Sequence, residues 1–240
     1  MEKNLVLVPG AWLGAWVWKK IIPPLEKQGY YVYPITLSGM GERKHLSSEK
    51  IGMETAVQDV VNVIEYNDLD DIILVGHSFA GKVVSAVSDR MPEKIRQVLF
   101  LDAFVPENIN TPQGIFDPES EYGPIPQGEI GIPLTENIID KIGSDMKGED
   151  RKWMLQKGTP WPIRLAKDAV VISNRFKDLR KAYIICIIQN ENELNGEDKN
   201  ELKKYLNKLE GPYRIIKTGH WPMVTQPEKL VRYISELSRE

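Results

Sequence analysis

Residues 71–81, DIILVGHSFAG, decide how the rest of the chain is read. Ile72, Ile73, Leu74 and Val75 form a short unbroken apolar run, the pattern of a strand buried on both faces of a parallel sheet. Gly76, His77, Ser78, Phe79, Ala80 and Gly81 follow, and residues 82–90 then carry a helix-compatible pattern. A strand that turns sharply into a helix, with small residues on both sides of a serine, describes a nucleophile elbow. Small residues are needed because the serine sits in strained backbone and neighbouring elements crowd the turn. The turn lifts the Ser78 hydroxyl clear of the sheet and aims helix-start N–H groups at the place where negative charge would develop. Ala80 stands where the usual G-x-S-x-G pattern has its second glycine; one methyl leaves a tight turn, with Gly81 helping the helix to pack. The competing reading makes Ser78 an ordinary helix N-cap after a buried strand. The strand–turn–helix context favours the elbow.

Outward from this stretch the chain alternates. Residues 5–8 read as a buried strand ended by Pro9-Gly10-Ala11, and 16–28 as a helix that Pro23-Pro24 kinks or restarts. Strand 31–35, a loop over 37–48 with Gly39, Gly41, Arg43 and His45, and an amphipathic helix over 55–66 lead into the elbow strand. Helix 79–90 and strand 97–101 follow. This β-α-β-α-β-α-β order predicts an α/β fold, a mostly parallel sheet with helices on both faces. From residue 105 to 177 the rhythm breaks into proline- and glycine-rich sequence with scattered Phe116, Met146, Trp153, Trp161 and Phe176. A stretch of this length is too long for a loop, so it predicts an inserted helical cap at 105–177 on a core made of 1–104 and 178–240. Strand 182–188, helix 198–209, strand 213–217 and helix 226–237 restore the alternation.

Bulk properties narrow the function. At 240 residues the chain suits one domain with an insertion, and it can bury about three quarters of its unfolded surface without disulfides or metal. Cys186 is the single cysteine; it lies in the apolar run 183–188 and reads as a small buried core residue. No Cys/His spacing suggests a metal site, and nothing calls for a cofactor. A formal charge of −3 gives no basic footprint for nucleic acid. No apolar run reaches membrane-spanning length, and the N-terminal apolar run lacks a cleavage pattern, so cytoplasmic residence is the expectation. A small-molecule partner is expected; a homodimer stays open.

A serine needs a base to take its proton, and only three histidines are available. The sharp turn sends the His77 ring away from Ser78, and His45 lies in a charged loop. His220 falls just past the end of the last strand, where sites form in an open α/β sheet. In the bland alternative His220 is a loop histidine satisfied by backbone. The Ala11 N–H, from the loop after the first strand, and the Phe79 N–H could together hold an oxyanion.

VLVPGAWLGAWVW at the first strand, the GMGERKHL loop, VGHSFAG, LFLDAFVP and GHWPMVTQPEKL together resemble the α/β-hydrolases, specifically the small esterases that include plant methylesterases and hydroxynitrile lyases. The resemblance covers nearly the whole chain and implies Ser78 as nucleophile, His220 as base, and Ala11 and Phe79 as oxyanion donors. Most members place an Asp after the strand that corresponds to 182–188; here that position is Gln189, with Glu191 and Glu193 close by. The alternative acid is Asp102, at the end of the strand beside the elbow strand, an arrangement that haloalkane dehalogenases resemble. Asp102 is the preferred acid because it sits on rigid structure at the sheet's active edge; Glu191 remains the alternative.

The lyases of this group carry a threonine near the oxyanion loop and a lysine just after the histidine, where this chain has Ala11 and Trp221. Without that positive charge, hydrolysis of small apolar esters through an acyl-enzyme is the expected chemistry. Trp12, Phe104, Trp153, Trp161, Trp221 and Met223 are the candidate pocket residues. A hydroxynitrile lyase and a non-catalytic small-molecule binder on a hydrolase scaffold are the competing functions.

Overall fold

The computed structural model describes residues 3–189 and 195–239. β1 (Lys3–Val8) leads through a 3-10 helix (Ala15–Lys20) to α1 (Ile22–Glu26) and β2 (Tyr30–Pro34). A second 3-10 helix, Gly41–Leu46, precedes α2 (Met53–Tyr66), β3 (Ile72–His77), α3 (Ala80–Arg90) and β4 (Ile95–Leu101). The middle of the chain holds α4 (Pro118–Tyr122), β5 (Gly131–Ile132), α5 (Glu136–Ile142), α6 (Gly148–Lys157), β6 (Trp161–Pro162), α7 (Ile163–Lys167) and α8 (Asn174–Lys177). β7 (Lys181–Ile187), α9 (Gly196–Asn207), β8 (Tyr213–Lys217), α10 (Pro222–Thr225) and α11 (Pro227–Leu237) complete it.

Six strands form one sheet in the order β2-β1-β3-β4-β7-β8, and every neighbouring pair is parallel. Parallel strands covered on both faces need continuous apolar sequence, which explains why all of β3 is buried. After β2 the chain returns across β1 to place β3, so the strand order reverses between β1 and β3. A crevice opens at such a reversal, beyond the strand C-termini. The loop after β1 and the turn after β3 therefore meet there.

The helices cover the sheet through the spacing of their apolar residues. In α2, Met53, Ala56, Val57, Val60, Val61 and Ile64 fall on one face and are buried. Buried Asp59 on the same helix accepts from the Ser38 N–H (2.6 Å) and hydroxyl (2.9 Å) and pairs with Arg43 at 2.9 Å, fastening the loop before the helix. Pro23-Pro24 restart the chain as α1 after a 3-10 turn, where one helix was a sequence-level option.

The 105–177 segment holds strand pairing that the sequence reading did not anticipate. Besides its short helices it holds a two-stranded antiparallel pair, in which Gly131 faces Pro162 and Ile132 faces Trp161. Two-residue strands are too short to leave an alternating signature. Ile132, Ile139, Met154, Trp161, Leu165 and Phe176 belong to the same buried apolar cluster as the sheet. No helix among the described residues is long and apolar enough to cross a membrane.

Candidate active site

Ser78 sits in the turn between β3 and α3 with φ of +59°, left-handed backbone that a non-glycine residue adopts only when its surroundings force it. Those surroundings are visible. The Ser78 N–H donates to Leu101 O (3.2 Å), and Ser78 O accepts from the N–H groups of Gly81 and Phe104, each at 3.1 Å. A Cβ added at Gly10 would lie 2.6 Å from His77 Nδ1 and 2.8 Å from Ser78 Cβ, so the loop after β1 passes hard against the elbow. At Gly81 a Cβ would fall 1.9 Å from Phe104 O. The crowding that usually demands the second glycine is thus met at Gly81, and Ala80 is buried at the first position of α3.

Asp102 directly follows β4, also at positive φ (+44°). Its own N–H donates to Ile184 O at 2.7 Å. Oδ1 accepts from the Cys186 N–H at 3.1 Å, and Oδ2 lies 2.6 Å from His220 Nδ1. With Nδ1 committed to a carboxylate, Nε2 is the ring nitrogen left to exchange a proton. Asp102 and His220 are 24 % and 18 % exposed at their side chains, accessible yet held. Cys186 thus contributes through its backbone and is only partly buried, not the fully buried core residue its apolar neighbours suggest.

The loop that carries His220 is itself anchored. The His220 N–H donates to Ile142 O (2.8 Å), and Asp145 Oδ2 accepts from the Gly219 N–H (2.9 Å) and the Thr218 hydroxyl (2.5 Å). His77 is fully buried, and its Nε2 stands 2.7 Å from His220 O, which fixes Nε2 as the donor. Burial, with His220 pushing the same way, holds the His77 ring well below the usual imidazole range, so it stays neutral. His45 lies exposed on the 3-10 helix Gly41–Leu46.

Ser78, Asp102 and His220 border one cavity of about 280 Å³ with Ala11, Trp12 and Phe79. Among the described residues, no protein acceptor engages the N–H of Ala11 or Phe79. Trp12 stands at φ +68°, with its indole N–H on Ile132 O (2.9 Å). Its ring meets Tyr122 and Trp161 edge-on at 5.5 and 5.8 Å, and Phe79 lies 5.2 Å from Trp161. Phe104 and Trp161 line the cavity, as the sequence suggested.

Three expected wall residues lie elsewhere. Trp153 packs edge-on against Trp16 at 4.8 Å. Trp221 is 1 % exposed, with its indole against Gly143, where a Cβ would meet it at 2.3 Å. Met223 is fully buried in α10. None of the three borders the cavity: Trp221 and Met223 are buried in other packing, and Trp153 is half-buried. Gln189 borders a separate cleft behind Asp102 and His220, and Glu191 lies outside the described residues.

Phe116, Tyr122, Ile142 and Ala166 complete the wall and escaped sequence reading, because nothing in their local pattern marks which face they turn. Lys82 escaped it too, although a lone lysine ahead of Val83-Val84 on the elbow helix was a usable signal. It is 2 % exposed, and Nζ donates to the carbonyls of Gly114 (2.9 Å), Ala166 (3.0 Å) and Asp168 (3.0 Å), using all three protons.

Residues 5–233 match the profile of the alpha/beta hydrolase family. Over 105 residues the chain is 49% identical to a carbendazim hydrolyzing esterase of Nocardioides sp. (strain SG-4G), a match spanning 44% of this chain and 43% of that one. It is 30% identical over 262 aligned positions to the alpha-hydroxynitrile lyase of Arabidopsis thaliana, covering 100% of this chain and 98% of the lyase. Among solved structures, an extracellular alpha/beta-hydrolase from a Paenibacillus species superposes with a TM-score of 0.79 at 24% identity, over 99% of this chain and 100% of that one. The chain belongs to the alpha/beta hydrolase family, in the group that includes the plant methylesterases.

Proposed function

We propose that this alpha/beta hydrolase is a carboxylesterase that cleaves small apolar carboxylic esters through an acyl-enzyme on Ser78. The observation that carries the reading is the convergence of Ser78, of His220 held by Asp102 at 2.6 Å, and of two free backbone N–H groups on one aromatic-walled cavity. In this scheme Ser78 Oγ attacks the ester carbonyl while His220 Nε2 takes its proton. Asp102 keeps the proton on Nδ1 and stabilises the imidazolium that forms. The N–H groups of Ala11 and Phe79 receive the oxyanion. His220 then returns the proton to the departing alcohol, and a water, activated by the same ring, releases the acid.

The size of the cavity, about 280 Å³, and its wall of Trp12, Phe79, Phe116, Tyr122 and Trp161 favour a compact apolar ester. Beyond the groups assigned to the chemistry, the polar side chains that line it are Tyr122, the indoles of Trp12 and Trp161, and Lys82, whose protons are already taken.

A hydroxynitrile lyase is the second reading, favoured by the 30% identity to the Arabidopsis enzyme. Against it, Trp221 at the position of the lyases' lysine is buried away from the cavity. No uncommitted positive charge faces a leaving cyanide among the described lining residues.

The test is a burst assay with p-nitrophenyl acetate and butyrate alongside fluorophosphonate labelling. Wild type should give a burst and become labelled at Ser78, and Ser78→Ala should lose both, with turnover falling on the order of 10⁴-fold or more. Equal turnover in the two proteins would end the esterase reading. Cyanide release from mandelonitrile above the buffer rate would favour the lyase. Tight ligand binding without labelling would favour a non-catalytic binder.

A further inference from the structure

A second cavity, about 700 Å³, lies beside the first, and Phe104 is the one described residue that borders both. Val105, Ile109, Ile172, Phe176 and Leu209 give it an apolar lining, and its charged border is mixed, with Lys208 paired to Glu107 and Lys181 to Glu210. Phe104 cannot drift from the boundary. Its N–H is bonded to Ser78 O at 3.1 Å, and its carbonyl lies where a Cβ on Gly81 would collide. The tip of its ring abuts Gly114, where an added Cβ would stand 3.0 Å from Cε1 and Cζ. Backbone and ring are therefore both fixed, one to the elbow and one to the facing segment.

We infer that Phe104 is the partition that ends the substrate chain: it restricts the enzyme to short esters, and the space behind it is a latent extension for a linear alkyl chain. This rests on the esterase reading and adds the residue that sets the length limit. The first cavity lies just under the usual span for small-molecule sites, roughly 300–1,000 Å³, whereas the two opened into one would lie near its upper end. Removing the ring while keeping the backbone bonds should join them. The apolar lining would then take the chain, with its end at the charged border.

The experiment measures kcat/KM for two ester series, p-nitrophenyl alkanoates from C2 to C12 and alkyl butyrates of growing alcohol length, on wild type, Phe104→Ala and Phe104→Leu. Circular dichroism and fluorophosphonate labelling establish that each variant is folded and has a competent elbow; Phe104→Leu keeps most of the fill should the alanine variant fail to fold. Wild-type activity should fall steeply with chain length in at least one series. The long-to-short ratio in that series should rise in the variants, by about fourfold for each methylene newly buried and more in alanine than in leucine. Folded, labelled variants with the wild-type length profile in both series would overturn the inference and leave the esterase reading standing. If wild type and variants hydrolysed no member of either series, both would fall. A wild type that already prefers long chains would overturn the partition alone.

Discussion

The sheet and the 105–177 segment build the site in different ways. Ser78, Asp102 and His220 all follow the C-terminal ends of strands, and the first two are held in left-handed backbone by main-chain hydrogen bonds. The segment supplies the wall through Phe116, Tyr122, Ile142, Trp161 and Ala166. Its hold on the elbow helix runs through two side chains: Lys82, bonded to the carbonyls of Gly114, Ala166 and Asp168, and Asp89, whose Oδ1 accepts from the Ser173 and Phe176 N–H groups and the Ser173 hydroxyl. Reactive groups need positions fixed to a fraction of an ångström, which crossed main-chain bonds of a buried sheet provide. A wall needs only shape and dryness, which short helices packed by side chains can supply.

This contrast can be attacked from both sides. The largest effect is expected at the sheet. Asp102→Asn keeps the size of the side chain but removes the charge and the acceptor that fix the His220 tautomer, so kcat should fall by roughly 10³–10⁴-fold with little change in KM. Steady-state kinetics on a short ester would measure it. Wild-type kcat in the variant would move the acid elsewhere, with Glu191 the next candidate.

Gly81→Ala follows. Its Cβ meets a backbone carbonyl, Phe104 O, and neither α3 nor the strand-end loop can move without disturbing Ser78. A loss of about 3 kcal/mol in urea unfolding, accompanied by lower turnover, is expected. A variant as stable as wild type would show that the elbow has more slack than its contacts imply.

The smallest effect is expected where the segment is fastened. Lys82→Met fills similar space but leaves carbonyls unbonded, and should cost about 1–2 kcal/mol at pH 7. Burial lowers the Lys82 ammonium from 10.5 to about 8, against the opposing pull of Asp168. Below about pH 8 folded and unfolded chains both hold the proton, and the burial penalty is felt in full. Between about 8 and 10.5 the unfolded chain binds the proton more tightly, so wild-type stability gains as pH rises through that window. The methionine variant lacks this gain. The stability difference between the two proteins should therefore widen from pH 8 to pH 10; a difference independent of pH would mean that Lys82 titrates like an exposed lysine.

Much of this was legible in the sequence, for physical reasons. A parallel strand buried on both faces has to be continuously apolar, and a serine between small residues at its end leaves few alternatives, so the sheet, the elbow and Ser78 were readable from local pattern. His220 followed from its place after the last strand, whereas the sequence only preferred Asp102 over Glu191, on the rigidity of its strand end. The expected wall residues fared unevenly, because an aromatic side chain in an irregular segment carries no period to say which way it faces. Trp12, Phe104 and Trp161 border the cavity, whereas Trp153, Trp221 and Met223 do not.

By itself, then, the order of residues determined the parallel sheet and the group poised at its bend, since both depend on neighbours only a few positions apart. Only the tertiary structure decided which carboxylate meets His220, which aromatics enclose the cavity, how Lys82 ties the elbow helix to the facing segment, and that one phenyl ring separates two cavities. Those contacts join residues far apart in the chain, 118 positions for Asp102 and His220, and no local pattern encodes them.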